Sequence, residues 1–270
     1  MADDSVFGYN PSIAPAAIFL LIFVVATLCH GFLLLRARAW YWTPFFIGGI
    51  FQIIGYLARI AGHNHEDSIP IYSIQNLFIL LAPALYAASI YMVLGRLITS
   101  LRGQHLSIIR LNWMTKIFVA GDVLSFLAQC AGGGMMASGS SSTGTNITIF
   151  GLIIQILFFG FFLIASIIFH KRALRNRERS GNSSGLVPDP RSWDWSTLLK
   201  AIYVVSVLIL VRSAFRLVEF IDGYGGYIMT HEAFLYIFDA LLMSAAMVIL
   251  VKYHPSFVLR QAGKDDWVPI

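Results

Sequence analysis

The sequence predicts an all-α polytopic membrane protein of seven transmembrane helices, with its N-terminus outside and its C-terminus in the cytosol. Three observations predict it. Of the 270 residues, 57% are hydrophobic and only 12% are charged, whereas a soluble domain carries about 25% charge, and the mean hydropathy is +0.73. The apolar residues are gathered into seven runs, each near or above the ~20 residues that cross ~30 Å of hydrocarbon. Sixteen of the nineteen Lys and Arg fall in links on one side of those runs, which the positive-inside rule assigns to the cytosol.

The first run spans Ala14 to Leu35. An acidic M-A-D-D-S and two prolines, Pro11 and Pro15, stand at its start in place of a basic n-region, so it is expected to remain as a helix and not to be cleaved as a signal peptide. The others span Thr43 to Ala61, Ile71 to Thr99, Met114 to Met136, Ile147 to Phe169, Leu198 to Phe220 and Glu232 to Val251. The organisation expected is an extracellular 1–13, a membrane domain 14–251 containing a cytosolic loop 170–197, and a cytosolic tail 252–270. The outer links are short, and one reads G-S-S-S-T-G-T-N. Asn182 opens a glycosylation match on the cytosolic side, and Asn146 opens one outside that abuts the fifth helix. Pro83 and the run Gly132-Gly133-Gly134 mark frayed or kinked helix.

The basic residues sit in short links and not in a folded basic domain, so they orient the chain and do not bind nucleic acid. Cys29 and Cys130 lie inside apolar runs, without disulfide or metal spacing. No G-x-x-x-x-G-K-[ST] phosphate loop is present, and every lysine is cytosolic, which removes ATP hydrolysis by this chain and a retinal Schiff base. No catalytic residues, metal ligands or cofactors are expected.

Ionisable residues within lipid are a functional hypothesis by default. Arg212, Arg216 and Glu219, then Glu232, Tyr236 and Asp239, each fall at i, i+4, i+7, a single face of the sixth and of the seventh helix. Counted from the outer helix ends, Arg212 and Asp239 lie at matching depth, roughly 10–12 Å in. Arg216 is expected one turn higher near Tyr236, with Glu219 and Glu232 together at the mouth, needing Arg216 or Arg59 as counter-ion. Asp122 in the fourth helix has no basic residue expected at its depth, and Gln129 shares its face. With His30 as a possible partner, Asp122 is a candidate for proton coupling or cation ligation. Gln52, Gln75, Gln129 and Gln155 are expected to hydrogen-bond between helices.

The segments Y-N-P-S, H-G-F-L-L-L-R-A-R-A-W, I-I-G-Y-L-A-R, F-V-A-G-D-V-L-S-F-L-A-Q-C-A-G-G-G, R-S-A-F-R-L-V-E and E-A-F-L-Y-I-F-D, in that order from about Tyr9 to Pro255, resemble the fungal RTA-like family, also called lipid-translocating exporters. The resemblance implies seven helices and relatives linked to export of sphingoid long-chain bases, resistance to toxic amphiphiles and porphyrin movement. It places the family's arginine pair and glutamate on Arg212, Arg216 and Glu219, its seventh-helix acids on Glu232 and Asp239, and its fourth-helix pair on Asp122 and Gln129. Gln52 departs from the glutamate that many members carry there. The expected function is translocation of amphiphilic lipids, with membrane lipids and an amphiphilic small molecule as partners and the plasma membrane as location. The alternatives are a ligand-sensing receptor and an intramembrane lipid hydrolase.

Overall fold

The computed structural model describes residues 12–65, 68–101, 104, 111–138, 140–179, 195–223 and 226–262. Among them, seven helices are long and apolar enough to cross a membrane. The chain is an integral membrane protein. Helix α1 is Ile13–Ala37, α2 Thr43–Gly62, α3 Ile69–Ser100, α4 Leu111–Ala137, α5 Ser141–Arg179 and α6 Trp195–Asp222. The seventh, α7, joins three continuous pieces, Glu232–Leu235, Tyr236–Leu241 and Leu242–Lys252, and α8 follows as Pro255–Ala262.

Local chemistry explains several of the ends. Arg38 adopts the left-handed conformation after α1 (φ 51), and the Ala39 N–H reaches back to the Leu34 carbonyl at 3.0 Å, closing the helix. Prolines occupy the first turns of α2 and α3, where no amide hydrogen is needed. Other ends lie beyond the hydropathy boundaries. Helix α5 begins at Ser141, so most of the expected G-S-S-S-T-G-T-N loop is its first turns, and Asn146 is helical. It also continues to Arg179, so the first ten residues of the expected 170–197 loop are helix. Polar residues end the apolar run without ending the hydrogen-bond ladder. The Asn182 sequon lies outside the described residues. Much of the expected tail is α8, which packs on α1, α3 and α6.

The helices close into a ring in chain order, each on the next, with α7 returning to α1 and α3 also touching α6. Residues at seven-residue intervals, such as Leu21, Leu28 and Leu35 on α1 and Phe150, Leu157 and Ile164 on α5, stay exposed and form an apolar exterior. Inside, Trp42, Phe45 and Tyr86 stack in sequence between α1, α2 and α3. The glycine run does not break α4, which is continuous to Ala137. Instead Gly132 and Gly144 bring the α4 and α5 backbones so close that a Cβ on either would meet the other's carbonyl oxygen. Pro83 likewise sits inside an uninterrupted α3. The irregular segment is in α7, where Tyr236–Leu241 is π-helix.

Candidate functional site

Four helices converge on a buried ionic cluster at the end of the bundle where α2 and α6 finish and α7 begins. Arg212 on α6 is 1% exposed. Its Nε and Nη2 donate to Asp239 Oδ1 at 3.2 Å and Oδ2 at 3.1 Å, a two-pronged bond between α6 and α7. Nη2 also donates to the Ile79 carbonyl on α3 at 3.0 Å. That carbonyl is available for a reason legible in the sequence. Its helical partner would be the amide four residues on, which is Pro83 and has no N–H. Proline thus creates an acceptor in the core, and the arginine satisfies it.

Arg216, one turn along α6, donates from Nη1 to Glu219 Oε2 at 2.7 Å, and its Nε lies 3.6 Å from Asp239 Oδ2. Asp239 is therefore shared by two arginines. The third cation, Arg59 on α2, pairs with Glu232 Oε1 at 2.7 Å and donates from Nε to the Tyr236 hydroxyl at 3.0 Å. The Tyr236 hydroxyl in turn donates to Glu232 Oε1 at 3.0 Å, and the Ser12 N–H donates to the same oxygen at 2.9 Å. Phe19 stacks on the Tyr236 ring from α1. Glu232 is the most accessible of these acids, with 16% of its side chain exposed.

The cluster holds three guanidinium and three carboxylate groups and is neutral overall. Hydrogen bonds accompany the Arg212–Asp239, Arg216–Glu219 and Arg59–Glu232 pairs, while Arg216 Nε faces Asp239 without one; such bonds are what make burying ions tolerable in a low-dielectric interior. The expected meeting of Arg212 with Asp239 is present. Arg216 meets Glu219, an i,i+3 pair on one helix, and Asp239 across the seam. The counter-ions expected for the two glutamates are both present, Arg216 at Glu219 and Arg59 at Glu232.

The second expected group, Asp122 with Gln129 and His30, is not brought together. His30 faces α2 and α7, accepting from Trp42 Nε1 at its Nδ1 at 3.2 Å and bonding the Met247 carbonyl through Nε2 at 3.1 Å. Helix α1 neighbours α2 and α7 in the ring, so His30 cannot serve α4. Gln129 belongs to the α4–α5 seam, where Nε2 donates to Ser125 Oγ at 2.8 Å and to Gln155 Oε1 at 3.1 Å. Asp122 faces α3 instead, where its carboxyl interacts with the buried Tyr91 hydroxyl. Gln129 and Gln155 fulfil the expected role between helices. Gln52 does not, since it is fully buried and neither amide atom is bonded.

Sequence spacing did not point to Ser12, the Ile79 carbonyl or Tyr91. The i+4 proline after Ile79 was the signal for the second of these. Among the described residues no group of three or more His, Cys, Asp or Glu is placed to hold a metal ion.

Comparison with known proteins adds the lineage. The model of the "RTA1 like protein" family matches residues 45–262. "Protein RTM1" of Saccharomyces cerevisiae is 42% identical over 211 residues, 77% of this chain and 65% of that protein. "Protoporphyrin uptake protein 1" of the same yeast is 41% identical over 206 residues, 76% of this chain and again 65% of the relative. "Sphingoid long-chain base transporter RSB1" is 26% identical over 293 residues, 97% of this chain and 76% of the relative. The chain thus spans just under two thirds of the length of the first two relatives, at 65%. No solved structure matches. The family match runs from the start of α2 through α8 and takes in every charged residue of the cluster, and on that ground the chain belongs to the RTA1-like family.

Proposed function

We propose that the chain is a translocator of amphiphilic lipids, sphingoid long-chain bases or related toxic amphiphiles, acting in lipid homeostasis or resistance. It moves its substrate without catalysing a reaction and without hydrolysing ATP. The observation that supports this reading is the neutral, internally paired cluster set at one end of an apolar bundle. A cationic head group can replace the Arg59 guanidinium at Glu232, the most accessible acid, without leaving a net charge in the interior, while its tail remains in hydrocarbon. The names of the yeast relatives, a long-chain base transporter and a protoporphyrin uptake protein, agree with amphiphile movement as the common theme. With the basic links in the cytosol, the cluster faces outside, and the plasma membrane is the location proposed.

Reconstitution tests it. Purified protein in liposomes is given labelled long-chain base, phospholipid or sterol amine, and transbilayer movement is compared with empty vesicles. Wild type accelerates at least one substrate, and Arg212→Ala and Asp239→Asn each reduce the rate by about tenfold or more, the scale of one charge-assisted hydrogen bond. Equal movement in protein-free vesicles would exclude translocation. Ligand-dependent signalling without movement would favour a receptor.

A further inference from the structure

Helix α1 is held differently at its two ends. Away from the ionic cluster, His30 is fully buried, takes the Trp42 Nε1 hydrogen at 3.2 Å, bonds the Met247 carbonyl at 3.1 Å and packs on the Phe45 ring. At the cluster end, among the described residues, the polar ties of α1 to α7 come from one exposed peptide group. The Ser12 N–H donates to Glu232 Oε1 at 2.9 Å, and the Ser12 carbonyl oxygen lies 3.4 Å from the Tyr236 hydroxyl. The Ser12 side chain caps nothing. Between the two ends, the buried Thr27 hydroxyl has no hydrogen-bond partner. Helix α1 is also the least buried of the seven spans, with 28% of its apolar stretch inside the protein.

The inner face of this weakly held stretch covers the cluster. Ala16 is completely buried, and Phe19 stacks on Tyr236 at 5.6 Å and meets Tyr56 at 6.4 Å. The outer lips are apolar, with Ile13 and Ile18 exposed on α1 and Ile237 and Leu241 exposed on α7. Three donors meet Glu232 Oε1: Arg59 Nη2 at 2.7 Å, the Tyr236 hydroxyl at 3.0 Å and the Ser12 N–H. Arg59 carries a full charge, and the tyrosine is also held by Arg59 Nε and by Phe19. The Ser12 amide is neutral and exposed, so it is the first to yield. An ammonium brings three donors and a positive charge, and a hydrogen bond between two ions is stronger than one from a neutral donor. A hydroxyl head group has no such advantage.

We propose that the α1–α7 seam is a lateral portal for a single-chain amphiphile with a primary ammonium head, and that the Ser12 peptide is its latch. The head takes the place of the Ser12 N–H on Glu232, and the cluster end of α1 swings away from α7 about His30. The alkyl chain stays in hydrocarbon along Ile18 and Ile237. This rests on the translocator reading and supplies its way in from the bilayer. The family match begins at residue 45, so it does not reach α1. Ala14 stands roughly 24 Å along the helix from His30, and a tilt of about 10° moves it by roughly 4 Å.

Pulsed electron paramagnetic resonance on the full chain in lipid nanodiscs measures the swing, with Cys29 and Cys130 replaced by Ala. One spin-label pair is Ala14→Cys with Ile237→Cys, at the cluster end, and the other is Leu28→Cys with Val248→Cys, beside the pivot. All four positions are exposed. Octadecylamine lengthens the first distance by a few ångström and leaves the second unchanged, and octadecanol changes neither. Ser12→Pro lengthens the first distance without any amine, because φ at Ser12 is already −73° and proline removes only the amide hydrogen, placing ring carbon toward Glu232. Ser12→Ala keeps the amide and matches wild type. Variants are compared only as monodisperse preparations. An unmoved first distance with octadecylamine or in Ser12→Pro overturns the portal, as does equal movement of both pairs or an equal response to octadecanol. Liposome flux on the same preparations separates this failure from failure of the broader reading. Flux without opening rejects the portal and leaves translocation standing, opening without flux keeps the latch and rejects translocation, and absence of both rejects both.

Discussion

Arg212 shows how a single side chain can be both expensive and indispensable. Its guanidinium is satisfied by Asp239 and by a carbonyl that Pro83 releases from α3. Removing only one partner leaves an uncompensated buried charge, and Asp239→Asn is expected to lower stability by about 3–5 kcal/mol. Replacing both, as Arg212→Met with Asp239→Leu, leaves no lone ion and is expected to cost far less than the sum of the single changes. Thermal unfolding in detergent measures both. If the double variant is stable yet moves no lipid, the pair has a role beyond holding α6 to α7. The proline account has its own check. A double-mutant cycle between Pro83→Ala and Arg212→Met should return a coupling of about 0.5–3 kcal/mol, the range for groups in one network. Purely additive effects would show that the freed carbonyl and the arginine do not depend on each other.

Helix α7 carries its acids across a change of winding. Glu232 lies in the α-helical turn before the π-segment, and Asp239 lies inside it. π-Turns insert a wider loop into a helix and recur at functional sites. Here the segment lets Glu232 meet Arg59 while Asp239 meets Arg212 and Arg216. Inserting an alanine after Leu235, in the α-helical turn ahead of the π-segment, turns Glu232 by about 100° relative to Asp239. The insertion is expected to leave the helical circular dichroism near wild type and to remove transport in the liposome assay. Retained transport would mean that the register of α7 does not matter. The α4–α5 seam behaves differently, since it is held by missing side chains. Gly132→Leu forces the backbones apart and is expected to cost about 1–3 kcal/mol or more in thermal unfolding.

At the scale of the whole molecule, a neutral cluster lies at one end of the ring and most basic residues lie at the other. From the charge asymmetry we propose that the basic end is cytosolic. In intact cells, with Cys29 and Cys130 replaced by Ala, a cysteine introduced at Ser138 should react with a membrane-impermeant thiol reagent, and one at Lys252 should react only after permeabilisation. The opposite pattern would invert the topology and, with it, the side on which the cluster meets its substrate.

The sequence alone determined the class, the number of spans and the membership of the ionic cluster. Hydropathy over twenty residues and helical spacing are local properties, and the lipid exterior makes them decisive because backbone polar groups must be satisfied within each helix. The same locality allowed Arg212 and Asp239 to be matched by depth alone. The tertiary structure decided everything that depends on which helices are neighbours and how each is rotated. His30 and Asp122 are both polar residues within apolar runs, yet the ring places α1 beside α7 and α4 beside α3 and α5, so they have separate surroundings. Helical spacing put Asp122 and Gln129 on one face, but a face three residues wide meets two neighbours, and the two side chains went to different seams. Which arginine each acid meets, and that a proline on α3 supplies the carbonyl Arg212 uses, follow from packing between helices far apart in sequence, and no local pattern encodes that.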